Sequence, residues 1–290
     1  MAFGKGKEST EGAELKRYTG VASVFVRGIN PTKEELEKFY GRDIENEPNY
    51  VGQNNEGKPQ ARIEFLVEAD PASKLHKDVE FKSKVTFFIT RQQRVGRDTG
   101  KILIIDKYGN TAWATQDDID NHRIPMYSNG PASIAPDYRP AYDGEAELVA
   151  FLRAYINIDS PFNYDKNTRK YSWKSAAELA DLESPLEKIE DYFKGDFKEL
   201  HDIINLQPTN KVQVLFGVKH TDKGDYQDTF NRMFLKNNNT NYSKLAKEVS
   251  DAQMGGAYPS TEFEVSPFHE FVVTPTDFAQ SAENEATPWD

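Results

Sequence analysis

The sequence contains no cysteine, which excludes disulfides and every thiolate metal site and fits a reducing compartment. Histidine is scarce: His76, His122, His201, His220 and His269 include no pair at i, i+3 or i, i+4. No helical face therefore offers paired imidazoles to a metal. No apolar run approaches the ~20 residues of a membrane-spanning helix, so no membrane association is expected. Met1 to Lys7 carries charge and lacks the apolar segment of a secretory leader. No GxSxG, GxGxxG or GxxxxGK[ST] pattern occurs, which removes the usual sequence grounds for a nucleophile elbow, a dinucleotide fold or a P-loop.

A further absence is positional. Nine of the 47 acidic residues, and none of the 36 basic ones, lie from Glu248 onward. Residues 1–247 are therefore near neutral, although the whole chain carries a net charge of −11. Such asymmetry points to an acidic tail attached to a body with its own basic surface. Aromatic residues make up 12% of the 290 residues, more than a disordered chain would hold and enough to furnish a sizeable core.

The chain reads as a flexible basic arm (1–17), a single domain (18–274) with a helical insertion at about 145–206, and an acidic tail (275–290). Residues 18–29 are rich in β-branched residues and predict a strand. Asn30 suits an N-cap, Pro31 the first helical position and Gly41 the C-terminal stop of a short helix. Ala61–Glu68 predicts a strand. The segment 81–115 predicts a three-stranded meander over 82–94, 101–106 and 111–115, turning at Gly96–Gly100 and Asp106–Asn110. From Glu145 to Ile156, the spacing of Leu148, Phe151, Leu152 and Tyr155 predicts one apolar helical face. Residues 160–206 read as polar and partly helical. A hairpin over 211–219 and 226–235, a helix over Tyr242–Met254 and a strand over Phe263–Val273 follow. The expected class is α+β, mainly β: an OB-fold-like antiparallel barrel with helical insertions and a disordered acidic C-terminal tail.

Strand alternation over 82–94 puts Val85, Phe87 and Ile89 on a core face. Lys82, Lys84, Thr86, Phe88, Thr90, Gln92 and Arg94 share the opposite face. Between Lys82 and Lys101 only Asp98 opposes six basic residues. Trp113 alternates with Ala112 and Ala114, and Phe25 shares a face with Ser23 and Arg27. Rings among cations on a sheet suit unpaired nucleic acid, because every base offers a π-face and every phosphate a charge. The expected DNA-binding set is Phe25, Phe88, Tyr108 and Trp113 for bases. Lys82, Lys84, Arg91, Arg94, Arg97, Lys101 and Lys107 would hold phosphates, with Arg232 on the later hairpin. Lys5 and Lys7 are candidates for strand-to-strand cooperativity.

The same pattern also fits rings packed under loops and an ordinary charged face, as in a structural or virion-associated protein-interaction module. Asp117, Asp118 and Asp120 beside His122 open a second alternative, a metal-dependent nuclease; a helix-start acid cluster is the plainer account. No catalytic residue, metal or cofactor is assigned, and a non-enzymatic protein is expected.

The stretch from Tyr18 to Gly41 (YTGVASVFVRGINPTKEELEKFYG) resembles the start of phage-encoded single-stranded DNA-binding proteins, especially those of phages of gut Bacteroidetes, including crAss-like phages. Gly224 to Arg232 (GDYQDTFNR) and the acidic end fit the same family. The resemblance implies an OB-fold core and single-strand binding in phage DNA replication and recombination, in the cytoplasm of the bacterial host cell. It also implies a C-terminal tail that contacts other replication proteins, here through Asp277, Glu283, Glu285, Trp289 and Asp290. This tail ends Pro-Trp-Asp rather than in Phe as in the bacterial and T7-type proteins, which leaves its partner open. The zinc site of the T4-type protein needs cysteines and is not carried over. The sequence sets no oligomeric state.

If the tail competes with DNA for the basic surface, deleting residues 275–290 raises affinity for oligonucleotides, most at low salt. Fluorescence anisotropy measures this, and unchanged affinity removes the competitive role.

Overall fold

The computed structural model describes residues 15–73, 81–128, 130–221, 224–237, 263–264 and 268–273. Lys5, Lys7, the 242–254 segment and the tail residues Asp277, Glu283, Glu285, Trp289 and Asp290 lie outside the described residues, as does the side chain of Arg232.

In chain order, β1 (Leu15–Ile29), α1 (Lys33–Tyr40), β2 (Val51–Gln53), β3 (Pro59–Ala69) and β4 (Lys82–Gln93) come first. A smaller unit follows, with β5 (Ile102–Ile105), β6 (Thr111–Ala114), α2 (Gln116–Asp120) and β7 (Arg139–Pro140). Next are β8 (Tyr142–Asp143), α3 (Glu145–Tyr155), β9 (Phe162–Asp165), β10 (Lys170–Trp173), α4 (Ala176–Leu179), α5 (Ile189–Tyr192) and α6 (Lys198–Leu206). The described chain ends with β11 (Lys211–Thr221), β12 (Gly224–Lys236), β13 (Phe263–Glu264) and β14 (Phe268–Val273). Among the described residues no helix is long and apolar enough to cross a membrane.

The main sheet runs β12-β11-β1-β3-β4-β8, with β13 on β11, β14 on β1 and β2 on β3. It is an open, strongly curled antiparallel half-barrel, so the mainly β, α+β reading holds. The curl has a local cause. β1 pairs with β11 over Gly20–Phe25 and with β3 over Val24–Ile29, so the two ladders overlap only around Val24 and Phe25. A register shift between Val26 and Gly28 adds a bulge, which bends a strand and tightens its twist.

The concave face is apolar. Val24, Val26, Ile63, Phe65, Val67, Val85, Phe87, Ile89, Val212, Val214 and Phe216 are buried there. α3 fills the trough with Leu148, Phe151, Leu152 and Tyr155, the four residues whose spacing predicts that face. The Phe151 ring lies 4.6 Å from Phe65, 5.5 Å from Phe87 and 5.1 Å from Phe234. Phe87 on β4 and Phe234 on β12 also meet, at 5.5 Å, across the opening of the half-barrel. Full burial of such a side chain stabilises by about 1.5–3 kcal/mol, so α3 is a large part of what holds the curl.

Two polar clusters attach the smaller unit. Arg139 grips the buried Glu145 carboxylate with its two terminal guanidinium nitrogens, one at 2.9 Å, and the same carboxylate accepts the Tyr142 N–H at 2.9 Å. Buried Asp106 accepts from the N–H groups of Tyr108 (2.9 Å), Asn110 (2.9 Å) and Ala135 (2.7 Å), tying the β5–β6 turn to the 131–135 loop.

Several sequence expectations change here. The 81–115 meander is divided between sheets: β4 belongs to the half-barrel, whereas β5 and β6 join β7 in a sheet of their own. The change comes after Gln93, where the Arg94 N–H turns to the Ala141 carbonyl. The N-cap of α1 is Thr32, not Asn30, because Thr32 and Glu35 form a reciprocal capping box. Asn30 bonds to β3 instead, accepting from Glu64 N–H at 2.7 Å and donating to the Arg62 carbonyl at 3.2 Å. The polar stretch 160–206 contains the β9–β10 hairpin besides its helices. The strand expected over 263–273 is two strands, β13 and β14.

At the start of α3, Gly144 has φ 84°, and a Cβ built there would stand 2.0 Å from the Phe88 carbonyl oxygen. Gly144→Ala combines left-handed strain with a backbone clash, each costing about 1–3 kcal/mol. The expected result is a melting temperature lower by about 5 °C or more, read by thermal denaturation.

Candidate nucleic-acid interface

The convex face carries the residues that alternate with the core. Cross-strand register aligns Lys211, Phe25, Glu68 and Lys82 in one row. A second row pairs Arg62 with Phe88. Arg62 lies six residues from Glu68 along β3, about 20 Å at strand spacing.

In the first row, partly buried Phe25 has the Arg27 guanidinium carbon 4.4 Å and the Lys211 Nζ 4.8 Å from its ring centre. Both cations are held by acids. Arg27 Nε lies 2.6 Å from Glu68, and Lys211 Nζ lies 2.5 Å from buried Asp70. Cations placed over a ring in this way are attracted by its quadrupole. Lys82 donates to the Phe39 carbonyl at 3.0 Å and lies 5.2 Å from the Phe39 ring, so α1 sits beside this end of the row.

Beside the second row lies a buried carboxylate. Glu64 is 2% exposed, with Lys84 Nζ at 3.0 Å and Arg62 paired to the same oxygen. Burial alone would push the Glu64 carboxyl up, but Lys84 and Arg62 together hold it below its ordinary value. Burial, with Glu64 nearby, likewise raises the Tyr50 hydroxyl. Lys84 is therefore committed to the interior of this face, while Phe88 remains partly exposed.

The remaining cations divide. Arg91 pairs with Glu190 at 3.1 Å, Arg94 with Asp143 at 2.5 Å and Lys107 with Glu183 at 2.9 Å. Arg97 and Lys101 are exposed in the β4–β5 turn. Trp113, 44% exposed, lies along Gly96 at the base of that turn.

Tyr108 requires correction. It is buried against Ala135, Leu182 and Trp173, and so offers no open ring face to a base. The covering residues come from the 131–135 loop and the 160–206 segment, which strand alternation around Tyr108 says nothing about.

Asp117 and Asp118 serve α2 and its flank. Asp118 forms the capping box with Thr115, whose hydroxyl is the main influence holding its carboxyl below the ordinary range, and both acids contact Arg123. Among the described residues no group of three or more His, Cys, Asp or Glu could hold a metal ion.

Sequence reasoning missed Lys211 as a neighbour of Phe25, and Asp70 as the acid that holds it, since the register of β1 with β11 was not legible. It also missed a cluster of exposed rings on β9–β10: Tyr164, Tyr171 and the adjoining Tyr127. The alternation Phe162-x-Tyr164 and Tyr171-x-Trp173 around a polar turn is a hairpin signal that could have found it.

Glu64 gives a pH test. Its folded value lies below the ordinary 4.5, so its contribution is full above that value and disappears as pH falls through the folded one. Glu64→Gln leaves two cations around a neutral buried group and is expected to destabilise by about 3 kcal/mol at neutral pH. It also makes the loss of stability below pH 4.5 shallower. Thermal melts across pH measure both.

No protein-family model, no curated protein and no solved structure matches this chain.

Proposed function

We propose that this chain is a single-stranded DNA-binding protein, largely indifferent to sequence and non-enzymatic, that acts in phage DNA replication and recombination. The observation that carries the reading is Phe25 on the convex face of the half-barrel, flanked by Arg27 and Lys211. A phosphodiester strand crossing this row meets two cations, each held by a carboxylate. Moving Arg27 and Lys211 from Glu68 and Asp70 to phosphates uncovers the ring for a base. Stacking is worth about 1–3 kcal/mol per base, whereas an exposed ion pair is worth about 0–1 kcal/mol. The exchange at the half-exposed Arg27 is therefore favourable, and Lys211 follows at greater cost because Asp70 is buried.

The fold supports the reading. The order β12-β11-β1-β3-β4, with α3 between β4 and β11, supports an OB-like reading of the half-barrel. The Phe87–Phe234 contact lies where such a barrel would close. In that architecture the second and third strands offer the oligonucleotide face; here those are β3 and β4, which carry Glu68, Lys82 and Phe88. Arg97, Lys101 and Trp113 add a contact at the β4–β5 turn in this reading. The acidic tail, with Trp289, regulates binding by competing for the same cations or recruits replication proteins.

The test is a titration of fluorescent oligo-dT and of a duplex of equal length at two salt concentrations. Single strands are expected to bind more tightly than duplex and to weaken as salt rises. Phe25→Ala is expected to cost about 1–3 kcal/mol, and Lys211→Gln to reduce the salt slope by about one unit. Equal affinity for both forms, or no binding, overturns the reading.

A further inference from the structure

Six rings touch in succession from the interior to solvent. Tyr108 meets Trp173 at 5.8 Å, Trp173 meets Phe162 at 4.3 Å, and Phe162 meets Tyr127 at 5.6 Å. Tyr127 meets Tyr171 at 5.0 Å with planes only 24° apart, and Tyr171 meets Tyr164 at 4.8 Å. The inner end is buried, with Tyr108 8% exposed, and the outer end is open, with Tyr164 49% exposed.

The β9–β10 register explains the row. Phe162 faces Trp173 and Tyr164 faces Tyr171, so one face of the hairpin is aromatic throughout, while Asn163, Ser172, Asp165 and Lys170 occupy the other. A two-stranded hairpin needs one covered face to be stable. The inner pair supplies it, since Trp173 packs against the cluster of Tyr108, Ala135 and Leu182. The outer tyrosines extend the aromatic face beyond that anchor into solvent.

Charge indicates what the rings receive. Residues 162–174 carry Lys166, Arg169, Lys170 and Lys174 against Asp165, in a chain of net charge −11. Asp165 is engaged by the Asn167 N–H and the Thr168 hydroxyl, which shape the turn. Lys166 and Lys170 are exposed. The cores of protein–protein interfaces are depleted in lysine, whereas rings interleaved with cations match the bases and phosphates of an unpaired strand.

We propose that the outer end of β9–β10, with Tyr127, is a second stacking platform for single-stranded nucleic acid, separate from the Phe25 row. Bases stack on Tyr164 and Tyr171, and the backbone passes Lys166 in the connecting turn. The proposal rests on the reading of the chain as a single-strand binder and adds a distinct contact to it. A strand long enough to reach both places gains from the proximity of the second site once the first is engaged.

The test uses the full chain and fluorescent oligo-dT of increasing length. Tyr164→Leu/Tyr171→Leu keeps apolar bulk on the hairpin but removes the rings; Tyr164→Phe/Tyr171→Phe keeps the rings. The leucine variant is expected to lose about tenfold or more in affinity for long oligonucleotides. It should leave the shortest oligonucleotide that Phe25→Ala weakens unaffected, and the phenylalanine variant should bind like the parent. Parental binding of long strands by the leucine variant, or equal weakening for short and long strands, overturns the second platform while single-strand binding stands. An unaltered chain that binds no oligonucleotide of any length overturns both.

Discussion

β1 passes from one set of partners to the next along its length. Leu15–Gly20 is laddered to β14, Gly20–Phe25 to β11 and Val24–Ile29 to β3, and Val24 and Phe25 have β11 and β3 at once. A strand shared in this way cannot lie in a flat sheet; the two halves of the sheet must turn about it, and the apolar side closes around α3. The constraint also places the proposed contact. Phe25 sits at the overlap, with Lys211 brought in from one side and Glu68 from the other. The ring and its charges are therefore held by backbone ladders rather than by loops.

The basic residues of 82–107 do not form one uninterrupted positive strip, because much of their charge is answered within the molecule. Glu190, Asp143 and Glu183 meet Arg91, Arg94 and Lys107; the first pair joins the helical segment to β4, the second lies between the end of β4 and β8, and the third joins the smaller unit to the helical segment. They are exposed, and pairs of this kind contribute about 0–1 kcal/mol. They can yield to a polyanion at small cost. The Glu64 cluster differs: its carboxylate is out of water and shared by two cations, so drawing both away would leave a buried charge without a partner.

Elements written in local pattern were legible. The face of α3 follows from its 3.6-residue spacing, and the alternation of β4 correctly separates Phe87 from Phe88. The β11–β12 hairpin and the Gly41 stop of α1 follow from short-range chemistry. What depends on distant residues was not legible. A turn position does not say what packs over it, so Tyr108 reads as open although Leu182 lies over it. Alternation likewise does not reveal that Glu64 draws Lys84 inward. The departure of β5 from the main sheet depends on β7, a two-residue strand too short to carry a period.

The contact of Phe87 with Phe234 has a mechanical consequence. Hydrogen-bonded strands are indexed: one can move along another only in whole steps, and every step breaks bonds. Among the described residues no ladder joins β4 to β12; rings bridge the gap instead. Aromatic faces in contact have no such indexing and can glide over small distances while staying out of water. The trough can thus widen or narrow at one seam with every strand pairing intact, a compliance confined to one line of an otherwise stiff shell.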